Sequence, residues 1–261
     1  MRFLLAAFCL ISHLPNISLA ATTQGLARGQ VACPRSAVEI LKNTRQLIVV
    51  STKTWDTATA QMSWWQRRSA SDKWQPASDS LAAVVGRSGL AWGYDSVKLP
   101  SPWRKAHEPV KIEGDGRTPA GIHRLGRPFG FSAPLERGDF LVLTPDTVCV
   151  DDPLSRFYNL VINSSKVKRD WQSAEIMREI ELYKIGFIVD YHSSASKRAG
   201  SCIFIHIWGA PDQGTAGCLA ASEEIVGRLQ AWVKDPSRVA IAFLPEESLT
   251  NAWAGCFQFA N

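Results

Sequence analysis

Two residues of this 261-residue chain have the types and the setting for covalent chemistry. They are His206 and Cys218, twelve positions apart in the run IHIWGAPDQGTAGCLAAS from Ile205 to Ser222. A cysteine is a useful nucleophile only as thiolate, and a nearby imidazole or the positive end of a helix lowers its pKa from about 8.5. Here a His leaves the end of an apolar stretch and a Gly- and Pro-containing loop follows. Gly214-Thr215-Ala216-Gly217 then delivers Cys218 just before an expected helix. A return loop of this length can bring thiol and imidazole together. The amides of Gly217 and Cys218 are candidate oxyanion donors, a contribution of roughly 100-fold or more in rate. The chemistry suggested is acyl transfer: Cys218 attacks a carbonyl, His206 moves the proton, and a thioester forms and is resolved. Spacing alone equally fits a buried thiol and a satisfied strand-end His. A metal site fits less well, because neither a CxxC nor an HExxH spacing occurs and no acidic cluster accompanies the pair.

The elements that must position these residues are mostly strands. Cys202 to Trp208 (CIFIHIW) is nearly all apolar, as a strand buried on both faces would be. Residues 47–50, 57–66, 81–85, 140–143, 160–162, 186–191 and 239–244 carry the β-branched and apolar runs of further short strands. Ser222 is placed to cap a helix with Glu223 and Glu224 in its first turn, and Ile225, Leu229, Trp232 and Val233 follow at helical spacing before Asp235-Pro236 ends it. A second helix is expected from Asp170 to about Leu182, with Ile176, Ile180 and Tyr183 on one face, and a short one near residues 37–42. No internal repeat or second composition regime appears. The pattern predicts one mostly β domain with a few helices, α+β in class.

Composition bounds the rest. With 46% hydrophobic and 20% charged residues, the chain is globular. Its net charge of +5 is spread without a Lys/Arg run, which suits an anionic wall or membrane surface and argues against nucleic acid. Residues 1–20 read as a secretory signal: Arg2, the apolar stretch Phe3 to Ile11, and a small-x-small site at Ser18-Leu19-Ala20. That stretch is far short of the roughly 20 residues of a spanning helix, so stable membrane insertion is not expected. Export would place five cysteines, Cys33, Cys149, Cys202, Cys218 and Cys256, in an oxidising space, where an odd count leaves at least one thiol unpaired. The pairing Cys33–Cys256 with Cys149–Cys202 is one arrangement; five reduced, buried cysteines is another.

The segment from His206 to Cys218 resembles the catalytic motif of the L,D-transpeptidase (YkuD-like) catalytic domain family, in which a His is followed by a Gly-bearing loop and Ser/Thr-x-Gly-Cys. The matching residues are His206, Gly209, Thr215, Gly217 and Cys218. Residues 111–121 (KIEGDGRTPAG), 85–93 (VGRSGLAWG) and 149–159 (CVDDPLSRFYN) are similar to further family segments, and the likeness spans about residues 46–245. Residues 21–45 then form a lead-in and 246–261 a tail. The chain departs from the family's common Ser-His-Gly-Cys in carrying Ala216. The resemblance implies a β-sandwich or barrel-like domain, Cys218 as nucleophile and His206 as general base. It also implies that a backbone carbonyl at Ile207 or a neighbour orients the ring.

The implied reaction, without metal or organic cofactor, cleaves a diaminopimelate–D-Ala bond of a peptidoglycan stem tetrapeptide in the periplasm or cell envelope. The acyl group passes to an amine as a 3→3 cross-link. A carboxypeptidase or endopeptidase using the same Cys and His is the alternative, and a non-catalytic wall-binding module a further one. Asp115, Arg117 and Arg198 are weaker candidates for substrate binding, the arginines through bidentate contacts to carboxylates. Asp151, Asp152 and His192 have no assigned part in the chemistry.

Overall fold

The computed structural model describes residues 31–134 and 138–260; the expected signal segment lies outside them. The described chain begins with a short helix, α1 (Arg35–Leu41), which buries Ala37 and Leu41. In strand β1 (Gln46–Thr52) the apolar run Leu47 to Val50 is enclosed. β2 (Thr59–Gln66) alternates exposed and covered positions, as a strand with one wet face does. Next come β3 (Gln75–Pro76), β4 (Leu81–Val84) and β5 (Leu90–Trp92). β6 (Thr118–Gly130) is a long, almost wholly buried strand. β7 (Leu141–Val142), β8 (Thr147–Val150), β9 (Val161–Asn163) and β10 (Ala174–Ile176) are short. β11 (Ile185–Asp190), β12 (Phe204–Ile207) and β13 (Leu219–Ala221) lead to helix α2 (Glu223–Trp232), then β14 (Val239–Pro245) and α3 (Glu246–Thr250).

Eight of these strands close in the order β1-β14-β6-β11-β12-β13-β4-β2, with β2 returning to β1. The protein is therefore mostly β, built on a closed barrel, and closure removes the open edges that would invite pairing with other chains. Complete burial of β14 and β12 follows from their sequences, apolar throughout in β14 and at every position but His206 in β12. α2 starts where the sequence placed it, with Ser222 Oγ accepting from the Ile225 amide at 3.2 Å.

A second, three-stranded sheet, β10-β8-β9, stands apart from the barrel. It corrects the helix expected over 170–182. Residues 174–176 are a strand paired with Val148 to Val150, and one-turn 3-10 segments follow at Met177–Glu179 and Glu181–Tyr183. The fully covered side chains there are Met177 and Tyr183, whereas Ile176 is exposed. Strand pairing has overridden an amphipathic helical pattern.

Two disulfides form, Cys33–Cys256 and Cys149–Cys202. They suit an oxidising compartment and leave Cys218 as the free cysteine among the described residues. The residues after 245 pack back on the barrel: Trp253 is buried and stacks on Trp92, with ring centroids 5.7 Å apart. Among the described residues, no helix is long and apolar enough to cross a membrane.

Candidate active site

β12 and β13 run parallel, with Ile205 opposite Leu219 and His206 opposite Ala220. Side chains alternate along a strand, so Cys218, two positions before Ala220, shares a face with His206. Both line one cavity of about 430 Å³, and each is only 6% exposed. A larger concavity of about 530 Å³ shares Cys202 and Ile203 with it but contains neither His206 nor Cys218, so the chemistry belongs to the smaller one.

The imidazole is held in one tautomer. Its Nδ1 lies 2.7 Å from the Ile207 carbonyl oxygen, which can only accept, so Nδ1 carries the proton and Nε2 is left as the acceptor. Cys218 Sγ accepts from the Phe204 amide at 3.3 Å and turns its own proton toward the Cys202 carbonyl at 3.4 Å. Burial lowers the His206 pKa to about 4 and pushes the Cys218 thiol up to about 12. The resting pair is thus neutral thiol and neutral imidazole, not a preformed ion pair. Cys218 also leads into β13 rather than directly into α2, so the helix terminus does not abut the sulfur as the sequence had suggested. With Nδ1 committed to the Ile207 carbonyl, Nε2 is the ring nitrogen left to take up a proton.

The loop carrying Cys218 is stitched down on both sides. The Thr215 amide donates to the Val85 carbonyl (2.9 Å), and the Thr215 carbonyl accepts from the Arg87 amide (2.8 Å). Thr215 Oγ1 donates to the Cys218 carbonyl at 2.7 Å and accepts from the Gly217 amide at 3.0 Å. That amide is therefore committed to the loop and is not the oxyanion donor expected of it. Gly214 is required by proximity, since a Cβ there would sit 2.5 Å from the Arg87 Cα.

The KIEGDGRTPAG segment acts as a clamp. Thr118, fully buried, donates from Oγ1 to the Gly217 carbonyl at 2.7 Å and accepts from the Gly86 amide at 2.9 Å. Asp115 does not line the cavity: its carboxylate accepts from Lys111 Nζ (2.5 Å) and from the amides of Ile112 and Arg117 (both 2.9 Å). Arg117 is likewise spent on structure, donating to the Trp55 and Leu90 carbonyls and pairing with Asp56. Arg198 is exposed, in a left-handed turn that ends a 3-10 segment. None of these three lines the cavity as a substrate binder would. Lys111, Glu113, Asp151 and Gly209 do line it. His192 is exposed and paired with Asp95, and Asp152 accepts from the Leu154 and Gln172 amides.

Sequence reasoning missed two residues here. Tyr183, from the second 3-10 turn, lies in the same buried cluster and lines the same cavity as Cys218, and its hydroxyl donates to Glu175 Oε2 at 2.9 Å. Its ring packs against His206 with centroids 5.1 Å apart. Glu175, on β10, has its pKa raised to about 7, chiefly by burial. Reading the stretch as a helix hid both, since it supplied no reason for them to face Cys218. Thr118, by contrast, stood in a quoted motif without a role. Among the described residues no group of three or more His, Cys, Asp or Glu is placed to hold a metal ion. No family model, curated protein or solved structure matches the chain.

Proposed function

We propose that this protein is a cysteine acyltransferase of the cell envelope, an L,D-transpeptidase acting on peptidoglycan stem peptides. The observation that carries the reading is the unpaired Cys218 thiol sharing one enclosed cavity with an imidazole whose only basic nitrogen is Nε2. Two disulfides elsewhere in the chain and the N-terminal export pattern support an envelope location.

In the reaction, Cys218 Sγ bonds to the carbonyl carbon of the diaminopimelate residue while its proton passes to His206 Nε2. The tetrahedral oxyanion takes a hydrogen bond from the Cys218 amide, the Gly217 amide being held by Thr215. The C–N bond to D-Ala then breaks, and the departing amine collects the proton from Nε2. A second amine attacks the thioester, gives its proton to Nε2, and the sulfur leaves and is reprotonated. No metal or organic cofactor enters these steps. The Ile207 carbonyl stabilises the imidazolium that forms twice per cycle, as an orienting acceptor does in nucleophile–base pairs.

The test is incubation of the purified protein with disaccharide-tetrapeptides, followed by mass spectrometry, with Cys218→Ala in parallel. Cross-linked dimers lacking one D-Ala, absent with the variant, are the expected products. Tripeptides alone would move the assignment to a carboxypeptidase. No product of either kind would overturn the reading.

A further inference from the structure

Cys218 shares its cavity and its buried cluster with a phenol that plays no part in this reaction. The Tyr183 ring packs against His206 with centroids 5.1 Å apart, and its hydroxyl meets the Glu175 carboxyl at 2.9 Å. A phenol has one proton to give. When Glu175 is ionised, that proton goes to the carboxylate, and the phenol oxygen turns a lone pair toward the sulfur. When Glu175 is protonated, its own O–H donates to the phenol oxygen, and the phenol proton is released to face the sulfur. The first arrangement opposes a thiolate and the second stabilises it. Charge acts in the same direction, because an ionised Glu175 repels a developing thiolate.

We propose that Tyr183 is a catalytic hydrogen-bond donor to the Cys218 thiolate, and that Glu175 is the positioning residue whose protonation decides which way the phenol proton points. The chain Glu175–Tyr183–Cys218 is then a proton-operated selector placed opposite His206, and the phenol keeps its proton throughout. The inference rests on Cys218 being the nucleophile but not on the identity of its substrate.

The surroundings allow the selector to work near neutrality. Glu175 lines the cavity, so solvent protons reach it. Asp151, at the end of β8, and Glu113, from the loop before β6, both raise its pKa by repulsion. Lys111, bonded to Asp115, lies on the same cavity wall and favours the thiolate. His206 is the other titratable group against the Tyr183 ring, and it stays neutral well below pH 6 because burial holds its pKa to about 4. Burial and the repulsion from Asp151 and Glu113 bring the Glu175 pKa to about 7.

The experiment is the rate of Cys218 alkylation by iodoacetamide across pH 5.5–9 in the folded, disulfide-intact chain, with the labelled site mapped by mass spectrometry. In the wild type the pH–rate curve should depart from a single ionisation, with an inflection near neutrality. Glu175→Gln, which carries no charge at any pH and can donate to the phenol oxygen, should abolish that inflection and raise the rate at pH 8 by about tenfold, the effect of one unit in thiol pKa. Tyr183→Phe keeps the ring packing and should shrink the inflection to the part that charge repulsion from Glu175 supplies, while lowering the rate at pH 6 by about tenfold. An inflection that persists unchanged in Glu175→Gln overturns the proposal, as does a Tyr183→Phe curve that overlays the wild type. Thermal unfolding of both variants confirms that folded proteins are compared. Because the readout is the sulfur and not turnover, failure here is distinct from failure to process muropeptides.

Discussion

The two walls of the cavity are built in opposite ways. One is the barrel: His206 and Cys218 sit on adjacent parallel strands within the closed sheet, with Thr118 of β6 and the β4–β5 turn bonded to the loop between them. The other is the small sheet and its 3-10 turns, which supply Glu175 and Tyr183 from short elements secured to the barrel region by the Cys149–Cys202 bridge. The barrel wall keeps its titratable groups neutral by burial; the small-sheet wall keeps a carboxyl close to its titration point. A closed sheet is suited to holding a nucleophile and a base in fixed geometry. A stapled accessory sheet can tune them without being part of the covalent chemistry.

If that division holds, substitutions in the first wall should dominate turnover. Cys218→Ala should abolish muropeptide conversion, and His206→Ala should lower it by a factor of at least ~100, as loss of a general base does. Tyr183→Phe should cost less than about tenfold at the pH optimum. A Tyr183 effect as large as that of His206 would break the comparison.

The two disulfides separate the walls next. Replacing Cys149 and Cys202 by Ser should cost about 2–4 kcal/mol and reduce turnover, because the staple is gone from the tuning wall. Replacing Cys33 and Cys256 should cost a similar amount and leave turnover unchanged. Calorimetry together with product assays reads both.

Thr118→Val removes a donor to the Gly217 carbonyl and the acceptor for the Gly86 amide, and should cost about 1–3 kcal/mol with a drop in turnover. Thr118→Ser should restore most of both. A variant that lost neither would show that the loop is held by Thr215 alone.

The smallest effect is on stability against pH, where the walls have opposite signs. His206 and the core residue His123 both have folded pKa values lowered to about 4 from 6.5. The unfolded chain therefore binds more protons at these sites, and stability falls as pH drops from 6.5 toward 4. Glu175 is raised from 4.5 to about 7, so there the folded form binds more protons, and stability falls as pH rises from 4.5 toward 7. Near pH 5.5 the balance is about one proton taken up on unfolding, or about 1.4 kcal/mol lost per pH unit on acidification. Glu175→Gln should steepen that loss roughly twofold, read as the slope of Tm against pH.

The same division governs what could be read from the sequence. β1, β12, β14 and α2 were legible because each buries a largely apolar run or carries its own cap. The pair His206 and Cys218 was legible from residue type and from resemblance to a known motif. β6 was not, because three glycines and two prolines within Thr118–Gly130 break up the pattern of a strand. The structure shows what some of them are for. A Cβ at Gly130 would lie 2.5 Å from the Lys184 carbonyl, and one at Gly126 only 3.1 Å from Ile188, so β6 needs bare backbone where β11 crosses it. Tyr183 and Glu175 were illegible for a different reason. Their meeting with Cys218 depends on β10 pairing with β8 and on a bridge to Cys202, long-range events to which local helical periodicity gave a contrary signal. Arg117 and Asp115 failed the other way, as charged residues in a motif whose bonds all turn inward.

The Cys33–Cys256 bridge, 223 residues apart in sequence, turns nearly all of the described chain into a covalent ring. A single proteolytic cut in any loop between those two cysteines opens the ring but releases no fragment. The exposed turn at residues 70–73 is such a place. In an oxidising compartment containing proteases, a nicked molecule would retain both halves of its barrel, run as one species on a non-reducing gel and fall into two only when reductant is added.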